Sequence, residues 1–356
     1  MAGIQAADIA DIAVSTLRNL GRHRVTDVQS TYQNTTIFKR LWKKNKLTFS
    51  GDQAQFNLIT DESHTARSVG LYYTANVAPT NVLTTGVMPW RHVHWDYGID
   101  RREIAMNMGN ENRILDIFKV QRWAALASGI LFMERKGWQV APSTSDDFMG
   151  IPGWIVKSNT AVTTNDGFNG SLPSGYTTVA GIDPTSVKIA PKWNNYGTQY
   201  TNVSKDDAVI KLERLLDYTD FMPLVDELPT YNEGDDYGLY TTYTVKQQFK
   251  QLLEAQNDDL GFDLDPTNGH MMFRRGPVTW VKQLENDTTN PIYAINWGEF
   301  HFIVLRGEMM KEVVFPQLPN QPTTMAVHVD SSLNTYCTNR RRQGILSTDT
   351  TMPANM

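Results

Sequence analysis

The sequence predicts an α+β fold on three observations. Glu111 to Lys136 is a 26-residue stretch with no proline and one glycine, the pattern of a long helix. Segments of apolar alternation, such as Val93, Trp95, Tyr97 and Ile99, predict strands. Low-charge Gly/Ser/Thr/Asn stretches, residues 158–186 above all, separate these elements as loops or short β excursions.

Taken in order, Ile4 to Leu20 reads as a short helix. Ile9, Ile12, Ala13, Leu17 and Leu20 recur near helical spacing and Gly21 stops it. Thr26 to Thr36 is polar and reads as an extended arm, followed by a basic run, Lys39 to Lys46, around Trp42. Leu47 and Phe49, the turn residues Ser50-Gly51-Asp52, then Ala54, Phe56 and Leu58 predict a β-hairpin by period and turn chemistry. Residues 61–89 are a long excursion that cannot bury much alone and needs neighbours. Arg91 to Ile99 is the next strand.

The helix over 111–136 would span about 39 Å at 1.5 Å per residue. Ile114, Phe118, Ala125 and Phe132 lie on one side, and Ile117, Val120, Ala124 and Leu131 lie around from it. So wide an apolar surface predicts a strut packed against more than one element, with Gly137 as C-cap. Ser204 is positioned as N-cap of a helix to Asp217, with Asp207 resembling a capping box. A further helix is expected over Tyr243–Asn257, strand over Pro291–Arg306 and Thr324–Tyr336, and a trailing tail over 344–356.

Aromatic and aliphatic residues are plentiful, 40% of the chain being hydrophobic, which excludes a disordered polypeptide. The single cysteine, Cys337, excludes an internal disulfide framework. The longest nearly apolar stretch, Trp123 to Met133, falls short of the roughly 18–20 residues of a spanning helix, so no membrane partner is expected. Met1 to Asp8 shows no signal-peptide pattern. Net charge is −5 but unevenly placed. Residues 1–50 carry eight Lys/Arg against three Asp, whereas residues 205–265 carry five Lys/Arg against fifteen acids. A basic end and an acidic middle suit head-to-tail contact between copies, or one face toward a polyanion, as well as ordinary solvated surface.

Familiar catalytic motifs are absent, among them the P-loop, the dinucleotide fingerprint, the nucleophile elbow, His-Glu-x-x-His and Cys-x-x-Cys. His92, His94 and Asp96 alternate on one strand face, a spacing a metal could use, but no partner motif accompanies them and they read as the wetter face of an amphipathic strand. Asp263 to Gly269 hints at a calcium loop but puts Asn268 where glycine is needed and Arg274 where glutamate is needed. Cys337, near His328, Asp330 and Arg340-Arg341-Arg342, reads as a buried structural thiol. The arginines read as partners for acids on a neighbouring subunit or domain, or as a weak, salt-sensitive contact with a polyanion.

The order of the runs is nonetheless specific. Trp95-Asp96-Tyr97-Gly98-Ile99-Asp100-Arg101-Arg102-Glu103 leads through Asn112-Arg113-Ile114-Leu115-Asp116 into the long helix. Gly150-Ile151-Pro152-Gly153-Trp154, Pro191-Lys192-Trp193-Asn194-Asn195-Tyr196 and Gln256-Asn257-Asp258-Asp259-Leu260 follow, and then the run from Tyr336 to Gly344. Across nearly its whole length the chain resembles the major capsid proteins of tailed bacteriophages, the HK97-fold group.

The resemblance implies an N-terminal arm (1–46), an extended E-loop hairpin region (47–100) and a peripheral domain (101–200) with its spine helix at 111–136. It also implies an axial domain (201–310) and a return to the peripheral domain with a C-terminal tail (311–356). It implies self-assembly into hexamers and pentamers of an icosahedral virion shell around double-stranded DNA, touched non-specifically, with assembly in the host cytoplasm. A separate scaffold protein, a portal and decoration proteins would be partners. No cofactor or catalysis is implied. Candidate subunit contacts are Trp42, Lys43, Lys44, Phe49, Gly51, Phe56, Arg101, Arg102, Glu103, Arg340, Arg341 and Arg342, with Tyr72, Tyr73 and Trp90 as further exposed aromatics.

Two departures from family variants are expected: no fused scaffolding segment before the hairpin, and no Lys–Asn isopeptide chainmail, since no lysine lies between Lys46 and Lys119. The rivals are an encapsulin-like compartment that packages a cargo enzyme, and a metal-dependent enzyme using His92, His94 and Asp96.

Overall fold

The computed structural model describes residues 35–43, 46–60, 65–74, 82–102, 111–157, 167–186, 189, 192–220, 236–254, 271–274, 276–315 and 323–353. The expected helix over 4–20, most of the polar arm and the acidic turn at 263–269 lie outside the described residues. In chain order the elements are α1 (Thr36–Lys43), β1 (Lys46–Phe49), β2 (Gln53–Ile59), β3 (Leu83–Pro89), β4 (Arg91–Asp100), α2 (Glu111–Gly137), α3 (Ile151–Trp154) and β5 (Tyr196–Gln199). A π-helical turn (Lys205–Val209) then runs into α4 (Ile210–Thr219), followed by β6 (Tyr237–Thr241), α5 (Tyr243–Glu254), β7 (Met272–Phe273) and β8 (Gly276–Trp280). The chain ends with β9 (Ile292–Asn296), β10 (Phe300–Leu305), β11 (Lys311–Phe315), β12 (Thr324–Cys337) and β13 (Gly344–Ser347). They fall into two compact units, and β4, α2 and β12 each run from one into the other.

The first unit holds Val93–Met133 and Gly307–Ser331. Here β4 alternates as expected: Val93, Trp95, Tyr97 and Ile99 are buried, and the residues between them face outward. β11 pairs antiparallel with β12 from Lys311 opposite Asp330 to Phe315 opposite Ala326, and β4 also pairs with β12. The single glycine inside α2 has a packing reason. A Cβ on Gly129 would sit 2.9 Å from the Trp95 ring, closer than side chains approach. Glycine costs helix stability of roughly 1 kcal/mol relative to alanine, and close seating of an indole offsets it. Gly129→Val is therefore expected to lower stability by about 1–3 kcal/mol through overpacking, read as a lower urea midpoint. An unchanged midpoint would mean that the helix does not rest on Trp95. Val120 and Trp123 on the same helix are exposed, so the apolar surface is not covered all round within this unit.

The second unit contains a six-stranded sheet in the order β5-β13-β9-β6-β8-β7. β5 runs parallel to β13 and β6 parallel to β8, while the β13–β9, β9–β6 and β7–β8 pairings are antiparallel. Every residue of β6, β9 and β13 is buried, the mark of strands covered on both faces. α4 lies on β5 and β13, and α5 on β8. Leu212, Leu215, Leu216, Val245 and Phe249 close the core over Leu239, Ile292, Ala294 and Leu346. Elsewhere in this unit β1 runs parallel to β10, β10 pairs antiparallel with the last residues of β12, and β2 pairs with β3.

Four expectations need correction. β1 and β2 do not form a hairpin with each other. Gly51, at φ +121°, turns the chain out of the β1–β10 pairing, and β2 finds its partner in β3, across an excursion of more than twenty residues. The Pro291–Arg306 segment is two strands in two different sheets, broken where Asn296 Oδ1 accepts the Gly298 N–H at 3.0 Å. The segment from Gly344 is no trailing tail over its first residues, because β13 lies between β5 and β9, and Met352 is buried beyond it. Finally, no side-chain cap bond is made by Ser204. Asp207 instead accepts the N–H groups of Thr201 (2.6 Å) and Asn202 (2.9 Å) and pairs with Lys211 at 2.7 Å, over a first turn widened into a π-helix.

Candidate assembly surfaces

The β2–β3 hairpin is anchored at its base and bare at its end. Gly86 lies opposite Phe56 in register, and a Cβ there would fall 2.4 Å from the Phe56 ring, so the ring lies over the glycine. Phe56 then stacks on Tyr336 at 4.9 Å and approaches Trp193 at 6.4 Å, while Phe49 meets Tyr336 edge-on at 6.3 Å. Val87 N–H donates to the Ala180 carbonyl at 2.8 Å, and Trp90 Nε1–H donates to the Gly51 carbonyl at 2.9 Å. Phe49, Gly51 and Phe56 thus have internal duties at the foot of the hairpin.

The excursion between its strands differs. Val69, Leu71, Tyr72 and Tyr73 are exposed, Leu71 to 93% and Tyr72 to 101%. Tyr72 sits at φ 66°, a left-handed backbone that costs a non-glycine residue about 1 kcal/mol or more. Arg67 lies over the Tyr73 ring at 4.6 Å.

His301 belongs to the same foot. It faces Tyr336 across the β10–β12 register, with ring centroids 5.2 Å apart. Burial holds its pKa below the ordinary 6.5, with Glu299 offsetting part of the shift. The folded state therefore binds fewer protons than the unfolded chain below that pH, so this contribution to stability is present above about 6.5 and is lost as pH falls through the folded value. The unfolding temperature is expected to fall on acidification from about pH 7 to 5, and to fall less in His301→Gln.

Helix α1 is held from the end of α2. Glu134 is fully buried, and its carboxylate accepts Ile37 N–H at 3.3 Å, Phe38 N–H at 2.9 Å and Trp138 Nε1–H at 3.1 Å. Burial pushes this carboxyl up, and the hydrogen bonds offset part of that. The arrangement places an anion on the first N–H groups of a helix. Trp42 and Lys43 are the last two residues of α1; Lys44 and Glu103 lie outside the described residues. Arg101 and Arg102 are exposed beyond β4, and their backbone N–H groups donate to Thr323 O at 2.7 Å and Asp100 Oδ1 at 2.8 Å.

The arginine triplet is the main correction among the candidate contacts. Arg340 is completely buried. Its guanidinium donates to the carbonyls of Trp154 (2.9 Å), Trp193 (2.8 Å), Gly170 (3.3 Å) and Ser171 (2.9 Å). Burial draws its pKa down to about 10, which leaves it charged at neutral pH. Arg342 is buried and pairs with Glu299 at 3.2 Å. Neither is open to a neighbour or to nucleic acid. Arg341 lies half-buried over the Phe168 ring at 4.7 Å. The sequence signal was the acid pairing, and the partner is in this chain.

The chemical candidates resolve plainly. His92 Nδ1 is 2.8 Å from Ser332 Oγ and His94 Nδ1 is 2.5 Å from Asp330 Oδ1, while Asp96 is exposed. No group of three or more His, Cys, Asp or Glu placed to hold a metal occurs among the described residues. Cys337 is buried, and that burial pushes its thiol well above the ordinary value, the opposite of an activated nucleophile. No helix among the described residues is long and apolar enough to cross a membrane.

The described residues make an α+β fold with a long helix, an anchored β2–β3 pair and exposed apolar residues between its strands. No family model and no curated protein matches the chain. Solved structures do. The capsid asymmetric unit of Cyanophage A-1(L) superposes with TM-score 0.63 at 11% identity, covering 96% of this chain and 99% of that one. The capsid of a native GTA particle gives 0.53 at 9% identity over 94% and 98%. The capsid asymmetric unit of Cyanophage Pam1 gives 0.50 at 11% identity over 94% and 98%. The fold is that of these capsid chains, as the resemblance read from the sequence implied.

Proposed function

We propose that this chain is a major capsid protein that assembles with copies of itself into a closed icosahedral virion shell around double-stranded DNA. The observation that carries the reading is the excursion of the β2–β3 hairpin. Leu71 and Tyr72 stand almost wholly in solvent on an isolated subunit and Val69 and Tyr73 are about half exposed, while the foot is firmly packed. Such a patch marks an interaction surface, and in this reading its occupant is a neighbouring copy. Contacts that are weak singly become strong when closed symmetry repeats them.

In this reading residues 1–46 form the arm, 47–100 the E-loop region, 101–200 the peripheral domain, 201–310 the axial domain, and 311–356 the return with the C-terminal tail. Trp42, Lys43, Lys44, Phe49, Gly51, Phe56, Arg101, Arg102, Glu103 and Arg341 are the contact candidates of this reading. Hexameric and pentameric capsomers, a separate scaffold, a portal, decoration proteins and assembly in the host cytoplasm belong to the same proposal. Negative-stain microscopy of the overexpressed chain, with its scaffold if one is required, is expected to show closed particles of uniform diameter. A solitary, compact 40.3 kDa species under all such conditions would overturn it.

A further inference from the structure

We propose that His94 and His328 form a binding site for a divalent transition-metal ion of the zinc or nickel class, on the exposed face where β4 and β12 pair. Nε2 of His94 and Nδ1 of His328 lie 3.3 Å apart, with the rings stacked at 27°. An ion bonded to both nitrogens at the usual 2.0–2.1 Å would see them at an angle of about 104–111°, which brackets the tetrahedral value. Two nitrogens brought together from adjacent strands therefore already have the spacing of two corners of a zinc site.

The orientation of His94 supports the same use. Its Nδ1 lies 2.5 Å from Asp330 Oδ1. An ionised carboxylate only accepts, so the proton sits on Nδ1 and the Nε2 lone pair is left facing His328. A carboxylate that fixes the tautomer of a histidine in this way is the usual outer partner of a metal-bound imidazole. Paired imidazoles select zinc, nickel or copper over magnesium or calcium, which favour oxygen.

The surroundings allow it. The His94 and Asp330 side chains are about half exposed, at 50% and 49%, so water can reach the ion. Lys311 lies opposite Asp330 in register, and its ammonium is held by Glu308 at 2.6 Å. His92 is engaged with Ser332 and takes no part. Because no set of three or more such ligands converges among the described residues, the ion takes two ligands from this chain and fills its remaining positions with water or a group from another molecule. Without metal, the same nitrogens share a long N–H···N contact, and binding replaces that proton.

Isothermal titration of zinc chloride and nickel chloride into the full chain, free of any histidine tag, tests the site. At neutral pH one ion per chain is expected to bind saturably. His94→Ala and His328→Ala should each weaken binding tenfold or more, Asp330→Asn should weaken it about 10–100-fold, and His92→Ala should leave it unchanged. All four side chains are in part accessible, so unchanged circular dichroism will separate lost ligation from lost fold. Absence of saturable binding by the parent chain, or undiminished binding by both His94→Ala and His328→Ala, would overturn the proposal.

Discussion

Arg340→Met is expected to destabilise the chain by about 4 kcal/mol or more and to abolish accumulation of soluble protein. The argument rests on what the guanidinium leaves behind. Its donors satisfy backbone carbonyls from three separate stretches: Trp154 at the end of α3, Gly170 and Ser171 in the loop after it, and Trp193 ahead of β5. Asn195 sits among the same groups, with its Oδ1 accepting Val156 N–H at 2.9 Å and its amide donating to Val156 O at 3.0 Å. Methionine fills much of the volume but donates nothing, so several carbonyls stay buried without a partner. Each such group costs about 1–3 kcal/mol, although the losses do not simply add.

Arg340→Lys should be nearly as damaging, since three donors on one nitrogen cannot span the positions that a planar fork reaches. Solubility and, where protein survives, the urea midpoint check this. Near-normal stability of Arg340→Met would mean that the segments hold together without the arginine. Arg341→Ala is the comparison: that side chain is half-buried with its guanidinium over the Phe168 ring at 4.7 Å, not fully enclosed like Arg340, and its loss should cost less.

That arginine also shows where sequence reading stops. The long helix, the β4 alternation and the β12 strand were legible because each is a local period, and tertiary packing agreed with it. A buried arginine carries no local sign: Arg340-Arg341-Arg342 looks like a basic surface patch until the fold closes carbonyls around the first and Glu299 against the third. Strand partners are equally silent. The alternation of β2 said strand, but nothing local said that its partner was Leu83–Pro89, because pairing is decided by chain return rather than by period. β13 was missed for another reason. Four residues buried on both faces show no alternation, so nothing local set them apart from the tail expected over 344–356. Of the candidate contacts, the aromatic tip was named from its residue types alone, and its exposure is the part that only coordinates supply.

Assembly, unlike folding, should fail when the tip is made charged. Leu71 and Tyr72 are exposed to 93% and 101%, so Leu71→Asp with Tyr72→Asp removes almost no contact within the chain. Stability should stay within about 0.5 kcal/mol of the parent. Covering two such side chains against a neighbour is worth on the order of 3 kcal/mol per copy before ordering costs, and carboxylates reverse the sign of that term. In a closed shell the loss recurs at every copy, so particles should vanish while soluble subunit remains, as sedimentation velocity and microscopy would show.

Tyr72→Gly separates side chain from backbone. At φ 66° glycine is the less strained residue, so this variant should be at least as stable as the parent and still assemble poorly, since the ring is gone. Normal particles from the doubly charged variant would place the decisive contacts elsewhere. Normal particles from Tyr72→Gly alone would assign the work to Leu71. If instead the charged tip unfolds the subunit, the excursion is packed within its own chain, and the case for a neighbour on that surface fails.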